Sequence, residues 1–472
     1  MLTLSLMCLL AVQQVAPVRY ELTYDPADHG RVKVAISIPE GTTTLVMPRA
    51  IPMGYSDVHY DRFVGEVEAA AVDGSSLTVT REQGPRLHLG DGRSDARVIH
   101  YEVDVEAMER EILFASDTSK ARPRYLGLLG YSVFAYPDGL QHLPVEITVR
   151  GPDDWPVFLT LAPREVPANG TAVATAADFY ALADSQIAMG PDLQVLQLEA
   201  AAPLFVAQYA ERPSDAATLG AQALTALNAL AAYFGSVPFP HYTVHVEFLE
   251  PRSPEHQYGF SMEHMDSSTI YFDTSRAIQP DGEGVDSTPH LYNLAHHIAH
   301  SWIPKRAAAT GYFPWTWEIS PVLDSIWFSE GWGQYAAAAA LAEEGGLGDG
   351  YREDLVQRRF REPLASAPSF LNDLDLIQVS RIASTRYSED FRTGRSVFAR
   401  GGLMAYEIDE AIRAGPNGEK SLRDLLQRLM EAGHDRPLDL DRLPHLCREA
   451  TGVDVSEIYR AWLGPLSHQA SP

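Results

Sequence analysis

Two histidines four residues apart, His296 and His300, and a glutamate thirty positions further on, Glu330, are the residues of this chain whose types and spacing best suit chemistry. Imidazoles at i and i+4 share one face of a helix, so both can reach one metal ion, and a carboxylate completes a three-ligand set. Histidines at this spacing also occur incidentally on core or surface helices, so the pair alone does not decide the matter. Glu330 stands within Trp327-Phe-Ser-Glu-Gly-Trp-Gly-Gln-Tyr335. Charged and unpaired among aromatics, it would carry a large desolvation cost, which a cation shared with the histidines removes. The alternative is an exposed acid on an amphipathic helix; Gly331 and Gly333 beside it favour close packing and burial.

The elements that must position these groups are legible around them. Thr288-Pro289 is a good N-cap and first-turn pair, and Pro304 sets the far limit of that helix. Its apolar line, Leu291, Leu294, Ile298 and Trp302, faces a core, and the two histidines project from roughly the opposite side. A second helix, bearing Glu330, is expected from Ser320-Pro321 to Gly345-Gly346. Upstream, from Val18 to about Leu198, two-residue alternation broken by turn clusters such as Asp25-Pro-Ala-Asp-His-Gly and Gly90-Asp-Gly predicts antiparallel β-structure without crossover helices. From Ala216 the period becomes helical, and helices dominate to Leu463 apart from strands near Val244–Phe248 and Ser268–Phe272.

Composition narrows the function classes. The 472 residues suffice for several domains with large cores. Lysine plus arginine against aspartate plus glutamate, 37 against 63, gives a net charge of −26, which repels nucleic acid and anionic lipid. The cysteines, Cys8 and Cys447, lie at opposite ends and lack the local partners of a zinc ribbon or redox pair. Leu2–Val12 is too short to span a bilayer and suits the core of an export signal ending near Val15-Ala16, so a periplasmic or extracellular protein with no integral membrane segment is expected.

The sequence also resembles a known family. His296-His-Ile-Ala-His300-Ser-Trp-Ile-Pro-Lys-Arg306 resembles the zinc helix of the glycyl aminopeptidases, metallopeptidase family sixty-one, gluzincins whose pattern reads H-E-x-x-H-x-W-N-V-K-R. Trp327-Phe-Ser-Glu-Gly resembles the family's third-ligand motif at the family's spacing. Leu45-Val-Met-Pro, Gly54-Tyr-Ser-Asp and Tyr60-Asp-Arg-Phe are similar to its β-domain, and Tyr233-Phe-Gly-Ser-Val-Pro-Phe-Pro-His-Tyr to its entry into the catalytic domain. Gly259-Phe-Ser-Met-Glu263-His264 resembles the G-G-x-E-H strand and Thr451-Gly-Val-Asp-Val-Ser-Glu-Ile-Tyr the C-terminal helical part, with no room for the PDZ domain many relatives carry. The resemblance implies an α+β protein: an antiparallel β-domain over 17–200 after a signal peptide (1–16), a thermolysin-like zinc-peptidase domain over 201–390 and a helical bundle over 391–472. It implies zinc held by His296, His300 and Glu330, peptide or protein N-termini as partners, and Ser261, Met262 and Glu263 against the substrate, with Glu263 pairing with its α-amine.

Three departures limit what the resemblance carries. His297 stands where the family has the glutamate that takes a proton from the attacking water. Ser396-Val-Phe398-Ala-Arg-Gly-Gly-Leu resembles S-Y-Y-x-K-G-x-L, yet Phe398 lacks the hydroxyl that in relatives supports the tetrahedral oxyanion. Phe260 and Ser261 replace two glycines on the substrate strand. The expected function is therefore a zinc aminopeptidase-like protein, catalytically impaired, retaining its metal site and peptide cleft. The alternatives are an active metalloaminopeptidase acting on small N-terminal residues with His297 as base, and a non-catalytic envelope binding protein. Gln334, one turn after Glu330, is expected to hydrogen-bond a ligand imidazole; Lys305-Arg306 suits a structural ion pair, and His264 and His290 read as structural.

Overall fold

The computed structural model describes residues 16–468 except 29, 50–57, 93–95, 115–117, 260, 279–287, 313–316, 387–389, 417 and 435. The expected signal segment up to residue 15, the Gly54–Asp57 motif and Phe260 thus lie outside the described residues.

The N-terminal part is built of sheets. Alternation buries Val18, Tyr20, Leu22 and Tyr24 on one face of the first strand. That strand lies inside a seven-stranded sheet ordered Thr171–Ala176, Val145–Arg150, Val18–Tyr24, Arg31–Thr42, Ala96–Asp104, Val64–Ala71, Ser76–Leu77. One pair departs from the all-antiparallel expectation: Val18–Tyr24 runs parallel to Val145–Arg150. The two strands are distant in sequence, so a long excursion through the other two sheets makes the crossover, and local turn signals could not reveal it. A five-stranded antiparallel sheet that includes Tyr125–Leu129 and Gln186–Met189 and a four-stranded one complete this part.

The middle segment is a five-stranded mixed sheet ordered Gln194–Glu199, Pro203–Ala210, Tyr242–Leu249, Ser267–Asp273, Ser261–Glu263, the last an antiparallel edge strand. Its strand Tyr242–Leu249 is buried on both faces. Tyr242, Val244, Val246 and Phe248 join the large core on the helical side, whereas Leu249 joins Tyr125, Phe158, Ala188, Phe205, Ala207 and Tyr209 in a second core shared with the N-terminal sheet. On the helical side pack Ala216–Phe234, capped by Asp215 and closed by Gly235 at φ +67°, then Thr288–Ala299 and Gly333–Glu343. Helices from Leu376 to Leu463 follow, the longest being Phe391–Arg413. Among the described residues no helix is long and apolar enough to cross a membrane.

The helix carrying Glu330 starts later than the sequence suggests. Ser320 and Pro321 lie outside it; it begins around Ile326 as a π-helical stretch, Trp327–Trp332, and continues as α-helix over Gly333–Glu343. Another helix fixes this start: Ser380 Oγ accepts from Trp327 N in the first turn at 3.4 Å, and Ser384 Oγ from Leu323 N, just upstream of the helix, at 3.0 Å. Capping across helices leaves no local signature.

Candidate metal and peptide site

Helical spacing brings His296 and His300 together with ring centroids 4.5 Å apart. The π-helical turn presents Glu330 to both: Glu330 Oε2 lies 3.3 Å from His296 Nε2 and Oε1 lies 3.8 Å from His300 Nε2. π-Turns recur at functional sites because the extra residue re-aims a side chain. Close packing holds this turn in place. A methyl group at Gly331 would lie 2.6 Å from Gly401 Cα on the long helix, and one at Gly333 would lie 3.3 Å from His300 Cε1.

The donor set fits a metal. His300 Nδ1–H donates to the Ile303 carbonyl at 2.9 Å, which leaves Nε2 as the lone-pair nitrogen facing Glu330. His296 Nε2 and His300 Nε2 are buried and neither has a hydrogen-bond partner among the described residues. All three residues are buried, and their donor atoms lie within 4.8 Å of one another. Burial, and then the neighbouring His300, hold His296 well below its usual imidazole range, so its lone pair is free at neutral pH. A borderline-soft dication such as zinc accepts this N, N, O set.

A cleft of about 270 Å³ opens beside these atoms, lined by Ser261, Glu263, Asn293, His297, Gln334 and Phe398, among others. Ser261 and Glu263 face it from the edge strand. Met262 turns its side chain into the core by strand alternation, which leaves only its backbone to meet a substrate. Gln334 lines the cleft, but its expected bond to a ligand imidazole is absent among the described residues; the Ile303 carbonyl holds His300 instead, while the Gln334 carbonyl accepts from Tyr292 Oη at 3.3 Å. His297 Nδ1–H donates to the Asn293 carbonyl at 2.8 Å, and burial, followed by His296 and His300, lowers its pKa to about 3. Such a ring stays neutral and is a weak proton acceptor near neutral pH.

Outside the cleft, Arg306 donates to the Met265 carbonyl at 2.6 Å and forms an ion pair with Asp266. His264 bridges Asp184 and Thr269, and His290 packs edge-on against Phe272. Sequence reasoning missed Tyr312, whose buried phenol is pushed well up by burial and then by Glu263 and Glu330, and the arginines Arg358, Arg359 and Arg395 that line the cleft. Tyr312 carries no motif. The arginines come from helices beyond the recognisable ligands.

The architecture is that of aminopeptidase-type zinc metallopeptidases. The chain superposes on an aminopeptidase N family protein from Idiomarina loihiensis with a TM-score of 0.82 at 18% identity, over 96% of this chain and 77% of that one. It also superposes on the M1 zinc metallopeptidase from Deinococcus radiodurans (TM-score 0.57, 15% identity, 97% and 95% of the two chains), and on a mutant of that enzyme bound to a Tyr-Ser-Ala substrate (TM-score 0.55, 14% identity, 97% and 95%). Residues 19–191 match the family described as the peptidase M61 N-terminal domain. No curated protein matches the sequence. Together these likenesses show a fold shared with aminopeptidase-type zinc metallopeptidases and an N-terminal part similar to the M61 N-terminal domain.

Proposed function

We propose that the protein is an exported zinc aminopeptidase-like protein that keeps its metal and its peptide cleft but is catalytically impaired. The observation that carries this reading is the pair of residues at the positions of the family's base and oxyanion donor. His297 is a neutral, buried ring tied to Asn293, and Phe398 lines the cleft with no hydroxyl to offer. His296, His300 and Glu330 would hold zinc, which when bound acts as a Lewis acid toward the scissile carbonyl and its attacking water. Glu263, buried on the edge strand, is placed to receive a peptide's N-terminal ammonium, and the strand's open edge suits an extended backbone.

A missing general base costs about 10²–10⁴ in rate, and a missing oxyanion donor about 10²–10³. The test is hydrolysis of glycyl and alanyl amides with zinc supplied, by the wild type, His297→Glu, Phe398→Tyr and the double variant. The double variant is expected to exceed the other three, and to lose the gain when His296→Ala is added. A wild type that already turns over at ordinary enzymatic rates, or a rate lowered by His297→Glu, would make His297 the base of an active peptidase. Zinc content measured on the wild type and on His300→Ala tests the metal separately: a zinc-free wild type, or equal content in the two, removes zinc from the reading. A capped N-terminus tests Glu263, since acetylated peptides should bind worse than free ones.

A further inference from the structure

The chain carries a large excess of acid, 63 acidic against 37 basic residues, yet its cleft collects arginines. Arg358 and Arg359 come from the helical segment Gln357–Arg361 and Arg395 from the Phe391–Arg413 helix, and all three line the space that also contains Glu263 and the His296–Glu330 site. Arg276 borders it: a methyl group at Gly259, itself part of the lining, would stand 3.5 Å from Arg276 Nη1.

Counter-ions are scarce at this cluster. Arg352, on the preceding helix, is surrounded by Asp349, Glu353, Asp409 and Glu410 at 3.1–3.8 Å. Arg358 pairs with Asp354, one turn back along its own helix. Among the described residues, Arg359 and Arg395 have no carboxylate within 4.0 Å; Arg359 instead lies over the Tyr292 ring, 5.0 Å from its centroid. Arg276, stacked on Phe272 at 4.0 Å, is held below its ordinary pKa by burial and then by the charge of Arg359. Like charges gathered on one side of a concave space raise the positive potential there, and planar guanidinium groups match a carboxylate.

We propose that Arg359 and Arg395 bind a carboxylate of the substrate, so that the cleft selects short anionic peptides whose ammonium lies at Glu263. This rests on the reading of Glu263 given above. The cleft volume, about 270 Å³, is at the small end of ligand sites and suits a di- or tripeptide better than the terminus of a folded protein. The carboxylate has two possible sources, the C-terminus of a short peptide or an acidic side chain.

Calorimetry on the full zinc-supplied chain separates these with four probes: Gly-Gly-Gly, its C-terminal amide, Gly-Gly-Glu amide, and N-acetyl-Gly-Gly-Gly. Gly-Gly-Gly or Gly-Gly-Glu amide should bind about ten-fold or more tightly than Gly-Gly-Gly amide, and whichever does so names the source of the carboxylate. In Arg359→Gln and Arg395→Gln, both exposed and replaceable without disturbing the core, that preference should fall toward unity. Equal binding of the three unacetylated probes, a preference unchanged in both variants, or no binding at all overturns the inference. The acetylated probe reports on Glu263 alone. If it binds as well as Gly-Gly-Gly while the carboxylate preference persists, the amine reading fails and the arginine site stands.

Discussion

Two clusters of buried ionisable groups occupy opposite faces of the mixed sheet, and they differ in where the counter-charge comes from. On the face toward the N-terminal domain, Lys120 meets Glu247 at 3.4 Å, and Tyr125 Oη donates to Glu247 Oε1 at 2.6 Å and accepts from His245 Nε2 at 2.8 Å. Beside them Arg122 pairs with Glu109 and, at 2.8 Å, with Glu211. On the helical face, reached by Tyr242 Oη, which donates to the His297 carbonyl at 3.5 Å, two imidazoles and one carboxylate converge with two buried nitrogens unpartnered. The first cluster brings its cations in its own sequence, as an interdomain seam must. The second concentrates lone pairs and negative charge, a donor set that a cation from outside would complete.

The largest expected effect follows from removing one charge on each side. Glu247→Gln leaves Lys120 buried without its main partner. Burial already pushes that ammonium below its ordinary pKa, against the pull of Glu247 and Glu109. Breaking a buried pair costs about 3–5 kcal/mol. Glu330→Gln removes an acid that, among the described residues, forms no ion pair with a lysine or arginine, so in metal-free protein it should cost far less. Chemical denaturation of the two metal-free variants compares them directly, and equal losses would dissolve the distinction.

Zinc should bring the two losses level. An ion bound only by the folded chain stabilises by about 4 kcal/mol at a thousand times its dissociation constant. The shift should appear in the wild type and in His245→Ala and vanish in His300→Ala. A shift that survives in His300→Ala would place the metal elsewhere.

How much of this was readable beforehand depends on the range of the interaction. His296, His300 and Glu330 were legible because helical periodicity fixes where i and i+4 point, and because an acid among tryptophans needs a partner. The alternating strands and the helix from Ala216 to Phe234 followed from patterns of the same local kind. The seam did not, since Lys120 and Glu247 are joined only by the packing of one sheet on another. Nor did the late start of the Glu330 helix, whose first turn is capped by Ser380 and whose approach is held by Ser384, both from another helix. Arg358 and Arg359 carry no motif or spacing that sets them apart in sequence, and only the tertiary fold turns them to the cleft.

A smaller effect, near 3 kcal/mol at most, concerns pH. Burial lowers His245 to about 4, against the ordinary imidazole value near 6.5, with Glu247 opposing and Lys120 assisting. The unfolded chain therefore binds a proton that the folded chain refuses between those values. Stability from this group is full above about pH 6.5, falls as the pH drops and levels off below about 4. His297, lowered to about 3, adds a slope of the same sign, so the diagnostic is the difference between wild type and His245→Gln. The variant should lose less stability between pH 7 and 4.5; parallel curves would mean that His245 is not held neutral in the seam.

The smallest effects come from adding one methyl group to each cluster. At Gly127, on the strand Tyr125–Leu129, a methyl overlaps Glu247 Oε1 and lies 2.7 Å from Tyr125 Oη. The carboxylate cannot swing away cheaply, because that tyrosine and Lys120 hold it, so Gly127→Ala should cost about 1–3 kcal/mol, as overpacking does. At Gly333 the methyl meets only the edge of the His300 ring at 3.3 Å, a contact that a few tenths of an ångström relieves. Alanine is favoured over glycine inside a helix by about 1 kcal/mol, which offsets that contact, so Gly333→Ala should leave metal-free stability nearly unchanged. The ring, however, is tied through Nδ1 to Ile303, and a small tilt moves Nε2 off the common point of the three donors. Its zinc affinity should fall several-fold while Gly127→Ala keeps wild-type affinity. Paired denaturation and zinc titrations of the two variants decide this, and a stability loss at Gly333 with zinc affinity intact would show that His300 is packed as a structural residue like those of the seam.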